Sequence, residues 1–266
     1  MNDYMVVAEL GGFEKFCEGR PVEELPRITP RICGVCPMAH HMCAAKAGDA
    51  VYGVEVPSAG KKLRELMYNS FFVADHATHF YALGGPDFVV GPDAPKSERN
   101  ILGVVRAVGA EIGATVMQLL QDNHHICAIV GGRYIHPVGA IPGGMSKPIT
   151  EENRLDILER AKRSVETAKF SLKLFDDVVL GNQAYVDLVL SDSLAHETYN
   201  MGLVDDNNST NFYDGKVRVT GPDGAELLKY APEDYLDVIA EHVEQFQQRC
   251  SRGIVAEGAV FLHDCE

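Results

Sequence analysis

The chain has 266 residues, 46% hydrophobic and 23% charged, with a formal net charge of −14. That is ordinary globular composition, enough for one large domain, and an acidic balance of this size repels phosphate backbones and excludes nucleic acid as an expected partner. The sequence holds no apolar run long enough to cross a bilayer, and MNDYMVVAELGGFEKF lacks the basic start and apolar core of a secretory signal, so a cytoplasmic protein is expected.

VVAEL, residues 6–10, reads as a strand, after which Gly11-Gly12, Gly19, Pro21, Pro26 and Pro30 break regular structure. Pro37 suits a first helical turn, and Met38, Met42, Ala45 and Ala50 follow at helical spacing up to Gly53. Ser58 is the expected cap of a second helix running through Leu63, Leu66, Phe71, Ala74 and Ala82 to Gly84-Gly85-Pro86. A proline-rich loop over 87–96 precedes a third long helix, expected from Ser97 to about Val130, and residues 133–149 read as loop. Thr150 caps the clearest helix, in which Leu155, Leu158, Ala161, Val165, Ala168, Leu172, Phe175 and Val179 form a seam that predicts a neighbouring helix. YVDLVLS (185–191) and NFYDGKVRVTG (211–221) look like strands, with Asp214-Gly215 as a hairpin turn. Pro232 opens a last expected helix through Leu236, Ile239 and Val243, and residues 247–266 show no clean period. The sum is a mainly α protein with a small β portion (α+β), a long-helix bundle in a single domain over 1–266.

Seven cysteines, at 17, 33, 36, 43, 127, 250 and 265, make a disulfide framework a poor reading. Cys33 and Cys36 form a CxxC followed by His40, His41 and Cys43, and four readings compete for it. Two buried thiols explain neither Gly34 nor the basic residues around the pair. A dithiol redox site wants an apolar strand before it, where this chain has ELPRITPRI. Structural zinc has Cys33, Cys36 and His40, with His41 or Cys43 as a fourth ligand, but no second CxxC or HxxxH. A redox-active transition metal suits two soft thiolates, with His40 one turn after Cys36 placed to hydrogen-bond a metal-bound sulfur.

Arg31-Ile-Cys33-Gly-Val-Cys36-Pro-Met-Ala-His40 resembles the nickel-binding signature RxCGxCxxxH of nickel–iron hydrogenase large subunits. GFEKFCEGR (Gly12–Arg20) looks like the family's GFE segment, and GGRYIHPVGAIPGG (Gly131–Gly144) like its GG-x-x-x-HP-x-x-x-x-GG loop, so the resemblance covers about residues 6–246. It implies that Cys33 is a terminal nickel ligand, that Cys36 bridges nickel and iron, that His40 stands beside the bridging sulfur, and that Glu14 binds magnesium. The iron would carry carbonyl and cyanide ligands installed by maturation proteins. The implied reaction is reversible heterolytic cleavage of dihydrogen, the proton going to a thiolate or a nearby carboxylate. Electrons would leave through an iron–sulfur small subunit to electron-acceptor subunits, as in the soluble cytoplasmic members.

The family's second cysteine pair, in a DPCxxC context, and its upstream RxEGH segment are missing from these 266 residues. Two thiolates do not complete a four-thiolate site, so the sequence is expected to be a fragment of a large subunit, inactive alone, and no residue is given a catalytic role. The alternative is a non-catalytic helical binding or assembly protein whose CxxC holds zinc or nothing. Arg31 is a candidate partner of a buried carboxylate; His76 and His79 read as packing or surface residues, His136 as a turn residue, and His124 and His125 as pointing different ways.

Overall fold

A computed structural model describes residues 12–195, 197–243, 250–256 and 259–261. Residue contacts group the chain into two compact units, Cys17–Leu194 and Met1–Phe16 with Ala195–Glu266. The expected strand over 6–10 lies outside the described residues.

The larger unit is helical. After α1 (Gly12–Cys17), whose residues to Phe16 group with the smaller unit, come a short α2 (Leu25–Ile28) and then α3 (Pro37–Tyr52), with Pro37 in its first turn and Gly53 closing it in the left-handed conformation at φ 60°. The buried face of α3 is Met38, His41, Met42, Ala45 and Gly48, steps of three and four along one side. α4 (Ser58–Thr78) starts after Pro57, so Ser58 is its first helical residue rather than its cap. The expected continuation to Gly84 is present as a π-helical turn over His79–Gly84, and a second over Pro86–Val90 replaces the start of the expected loop.

The single helix expected from Ser97 is two. Asn100, not Ser97, caps α5 (Ile101–Val108) by accepting from the N–H groups of Leu102 and Gly103 at 3.0 and 3.1 Å. Gly109, at φ 93°, breaks the path before α6 (Ala110–Gly131) begins. α4 and α6 pack along their lengths, burying Met67, Phe71 and Ala74 against Leu119, Ile126, Cys127 and Val130. Between α6 and the next helix, residues expected as plain loop contain a two-residue hairpin, β1 (Ala140–Ile141) with β2 (Gly144–Met145), turned at Pro142-Gly143 with Gly143 at φ 83°.

Thr150 caps α7 (Glu151–Phe175) as expected, in a reciprocal box with Asn153. The seam does not behave as expected. Leu155, Leu158, Val165 and Leu172 are exposed, and α7 docks on α6 through its polar side instead. Asp122 of α6, buried, accepts from Arg160 at 2.8 Å and from Arg163 at 2.9 Å, and Asn123 donates to Ser164 at 2.9 Å. A buried carboxylate needs cationic partners, so those three α7 side chains fix the helix's rotation. α7 ends in a π turn over Asp176–Leu180, and YVDLVLS is largely α8 (Gln183–Val189), not a strand, started by Asn182 accepting from Ala184 N–H at 3.1 Å.

The smaller unit carries the sheets. β3 (Asn200–Val204), β4 (Lys216–Thr220) and β5 (Glu226–Tyr230) form an antiparallel meander, with Asp214 ending the turn into β4. The helix expected from Pro232 is a 3-10 turn and the one-turn α9 (Tyr235–Val238), after which Ile239 opens β6 (Ile239–Val243). β6 pairs with β7 (Cys250–Ala256), and β7 with β8 (Ala259–Phe261), a second meander where the sequence showed no period.

Candidate metal centre

Cys33 is the last extended residue before the turn, and Cys36 stands at the cap position of α3, φ −115°. The Cys33 sulfur therefore faces helix-start N–H groups, accepting from Val35 at 3.3 Å and Cys36 at 3.2 Å. A hydrogen bond from the Cys36 thiol and these two amides hold the Cys33 thiol below its usual range, because each favours the thiolate. Cys36 moves the other way, to about 11, through burial and through donating to its neighbour. The two sulfurs are thus unequal, Cys33 ionising more readily than Cys36.

The approach to the pair is pinned from the loop after α6. His136, in the left-handed conformation at φ 54°, donates from Nδ1 to the carbonyl of Pro30 at 2.9 Å, three residues before Cys33. His41 donates from Nδ1 to Pro26 O at 2.6 Å and accepts at Nε2 from Ala140 N–H at 2.9 Å. A carbonyl only accepts and an amide only donates, so the tautomer is fixed and the ring is neutral; burial lowers its pKa in agreement. Further along α3, Asp49 accepts from Gly143 N–H at 2.7 Å and from the buried Arg64, which also donates to the carbonyls of Ile141 and Gly144. Gly48 lets the hairpin approach, since a Cβ there would sit 2.9 Å from Pro142 Cγ. The GG…HP…GG loop thereby holds the segment before the cysteines, the second turn of α3 at His41 and its last turn at Asp49.

His40 lies half-buried one turn after Cys36, its carbonyl accepting from the Thr29 hydroxyl at 3.1 Å. Glu14 is exposed on α1 and belongs to the smaller unit, so the structure does not group it with the cysteines. Arg31 is exposed and donates to Arg27 O at 2.6 Å rather than to a buried carboxylate. The zinc reading loses His41, both of whose ring nitrogens are engaged, and among the described residues no three His, Cys, Asp or Glu side chains form a group able to hold a metal ion. His124 and His125 diverge as expected: His124 stacks on Tyr134 with ring centroids 3.4 Å apart, while His125 Nε2 lies 3.2 Å from Asp156.

One residue escaped the sequence reading. Asp75, half-buried on α4, lies within electrostatic reach of both Cys33 and Cys36 and of Tyr134, and its charge pushes each of their pKa values up. It sits next to core-facing Ala74 in a pattern that marks only a helix face, and no local motif announces it. The arrangement offers two soft donors of different proton affinity, a carboxylate nearby and a rigid mount. That donor set suits a thiophilic metal.

A family model for nickel-dependent hydrogenases matches residues 11–101. One vhu subunit of the F420-non-reducing hydrogenase of Methanocaldococcus jannaschii is 44% identical over 237 residues, covering 89% of this chain and 55% of that protein. The NAD-reducing hydrogenase HoxS subunit beta of Cupriavidus necator is 32% identical over 253 residues, covering 90% and 51%. Among solved structures, an NAD+-reducing [NiFe]-hydrogenase in the H2-reduced state superposes with a TM-score of 0.85 at 30% identity, covering 95% of this chain and 55% of that one. The chain spans about half the length of the curated relatives it matches.

Proposed function

This chain is a homologue of the nickel-dependent hydrogenase large subunits, and on that premise we propose that it supplies the Cys33–Cys36 half of a nickel–iron centre for reversible dihydrogen cleavage. The observation that carries the reading is the sulfur pair at the start of α3, with Cys33 Sγ accepting from two helix-start amides, clamped by a loop that itself matches the family pattern. Two thiolates fit two positions of a soft-metal site. With no three-donor group among the described residues, they do not fit a complete one.

In this reading Cys33 and Cys36 would hold nickel and iron through their sulfurs, and His40 would stand beside the Cys36 sulfur. Glu14 is a donor to magnesium, a hard cation suited to carboxylate oxygen. Nickel and an iron bearing carbonyl and cyanide supply, when bound, the centre at which dihydrogen is polarised. The chain's own work is to hold the sulfurs in fixed register and to keep a proton acceptor close. Asp75 is the described carboxylate placed for that, alongside the thiolates themselves. The proposed partners are maturation proteins, electron-acceptor subunits and an iron–sulfur small subunit, and the cytoplasm is the proposed location. Among the described residues no helix is long and apolar enough to cross a membrane.

The test is metal content. The chain is produced with nickel–iron maturation proteins and with the portion of the Methanocaldococcus jannaschii protein that it does not match. Nickel and iron together, both lost in Cys33→Ser and Cys36→Ser, are expected; zinc alone, or metals retained in both variants, overturns the reading in favour of a zinc-binding or assembly protein. The 266-residue chain by itself is expected to show no dihydrogen turnover.

A further inference from the structure

The turn between the two cysteines is unpacked, while the chain on either side of it is held. Before Cys33, the carbonyls of Pro26 and Pro30 accept from His41 and His136 at 2.6 and 2.9 Å. After Cys36, Pro37 and Met38 are buried at the start of α3. Between them Val35 is 66% exposed, and a Cβ added at Gly34 would meet no atom within 4 Å. The held ends bring the two sulfurs to one place. The Cys33 sulfur lies 3.2 Å from the Cys36 amide nitrogen and accepts from the Cys36 thiol. A disulfide needs the sulfurs to close from such a contact to ~2.05 Å. The Gly34-Val35 turn can absorb that movement without displacing a buried side chain. Competing partners are badly placed. Cys43 follows Cys36 by about two turns of α3, roughly 10 Å along the helix axis, which is beyond the reach of a disulfide. Cys127 is buried on α6, its thiol donating to Met67 O at 3.5 Å. Cys33 and Cys36 are both only half-buried, so a dissolved oxidant reaches them.

We propose that Cys33 and Cys36 of the metal-free chain are an oxidative modification site: a small-molecule disulfide such as oxidised glutathione closes them to an intramolecular disulfide, and the closed chain refuses a thiophilic metal. The proposal rests on the large-subunit reading above only in taking this pair as a metal site. One cysteine sulfur, as thiolate, attacks glutathione disulfide; the S–S bond there breaks, and the departing glutathione thiolate takes up the proton the cysteine gave. The second cysteine sulfur attacks the mixed disulfide in the same way and releases the second glutathione. The pair loses two electrons and two protons, and one glutathione disulfide becomes two glutathione thiols. Cysteine binds a metal as thiolate, and a disulfide offers none. Excess thiol runs the same exchange backwards and restores the site.

The experiment equilibrates the metal-free 266-residue chain with reduced and oxidised glutathione at varied ratio, quenches with acid and alkylates. Trypsin leaves Cys33, Cys36 and Cys43 on one peptide, residues 32–46. At the oxidised end that peptide is expected to lose two hydrogens, with fragment masses placing the link between Cys33 and Cys36 and leaving Cys43 unlinked. C36S is expected to halt at a glutathione adduct on Cys33. Cadmium(II) binding is then measured by equilibrium dialysis. The reduced chain is expected to bind more cadmium than C33S/C36S, to lose that excess on oxidation with its helical signal unchanged, and to regain it in dithiothreitol. A pair that stays as two thiols or two separate glutathione adducts throughout overturns the proposal, as does a link from either to another cysteine. It is overturned equally by a reduced chain with no cadmium excess, by an oxidised chain that keeps the excess, or by closure that costs the helical signal. The large-subunit reading is tested apart from this. A chain that closes and refuses cadmium, yet leaves maturation holding zinc alone, keeps this proposal and loses that reading.

Discussion

Arg64 and Asp49 meet in a two-pronged ion pair, Nη1 to Oδ2 at 2.6 Å and Nη2 to Oδ1 at 3.1 Å, with the guanidinium fully buried. The pair joins α4 to the end of α3, and both residues then reach the β1–β2 hairpin, Arg64 through two carbonyls and Asp49 through the Gly143 amide. Removing one member leaves a buried charge and stranded carbonyls. Arg64→Met is expected to lose about 3–5 kcal/mol in urea unfolding. Arg64→Lys is expected to recover little of it, because one ammonium does not reproduce the planar fork that satisfies a carboxylate and two carbonyls together.

Gly48 tests the same mount from the other side. In an exposed helix interior Gly→Ala gains about 1 kcal/mol. Here the new Cβ would meet the Pro142 ring at 2.9 Å, and that ring is held by a hairpin tied down at both ends. Gly48→Ala is therefore expected to destabilise by about 1–3 kcal/mol, as overpacking does. Combining it with Pro142→Ala should return part of the loss, which unfolding curves of the two single variants and the double variant will show.

What the sequence disclosed was what local rules decide. Thr150 as a cap, and Gly53 after Tyr52, mark helix ends by hydrogen bonds and dihedrals confined to a few residues and are legible in the sequence, while the reciprocal bond from Asn153 is seen only in the structure. The CxxC is legible from its spacing, the Gly131–Gly144 loop only from its resemblance to the family pattern, and the structure joins the two through Pro30–His136 and His41–Ala140. Long-range competition explains the misses. The leucine seam of α7 is a sound helical signal, yet Asp122, some forty residues away in sequence, needs two arginines and sets the rotation. YVDLVLS has strand composition, but Asn182 caps a helix there, and Asn100 overrides Ser97 in the same way. Asp75 shares no motif with the cysteines; only the packing of α4 beside α3 brings its charge to them.

His41 gives the larger unit a pH dependence of definite sign. The folded ring is neutral and its pKa is depressed, chiefly by burial, while the unfolded ring titrates near 6.5. Below that value the unfolded chain binds a proton the folded chain refuses, so stability is present above ~6.5 and falls as pH drops toward the folded pKa. The limiting slope is about 1.4 kcal/mol per pH unit for one such group. His124, whose pKa is also lowered by burial, adds in the same direction. His41→Gln, which keeps a donor and an acceptor without a titrating ring, is expected to flatten the unfolding free energy between pH 7 and 5; a slope unchanged from the parent would assign the effect elsewhere.

The inequality of the two sulfurs predicts an order of reaction. Alkylation follows the thiolate fraction and access. Cys33, lowered by the Cys36 thiol and two amides, is expected to react with iodoacetamide at pH 8 well before Cys36, which is pushed up to about 11. Cys127, buried against Met67 and pushed up to about 12, is expected to remain unmodified in the folded protein and to react only on unfolding. Site-resolved mass spectrometry of the metal-free chain separates the three. Asp75→Asn removes a negative charge that raises both members of the pair, so it should speed alkylation of Cys33 and Cys36 alike while leaving Cys127 protected. An unchanged rate at both would place that carboxylate beyond reach of the sulfurs and remove it as the nearby proton acceptor.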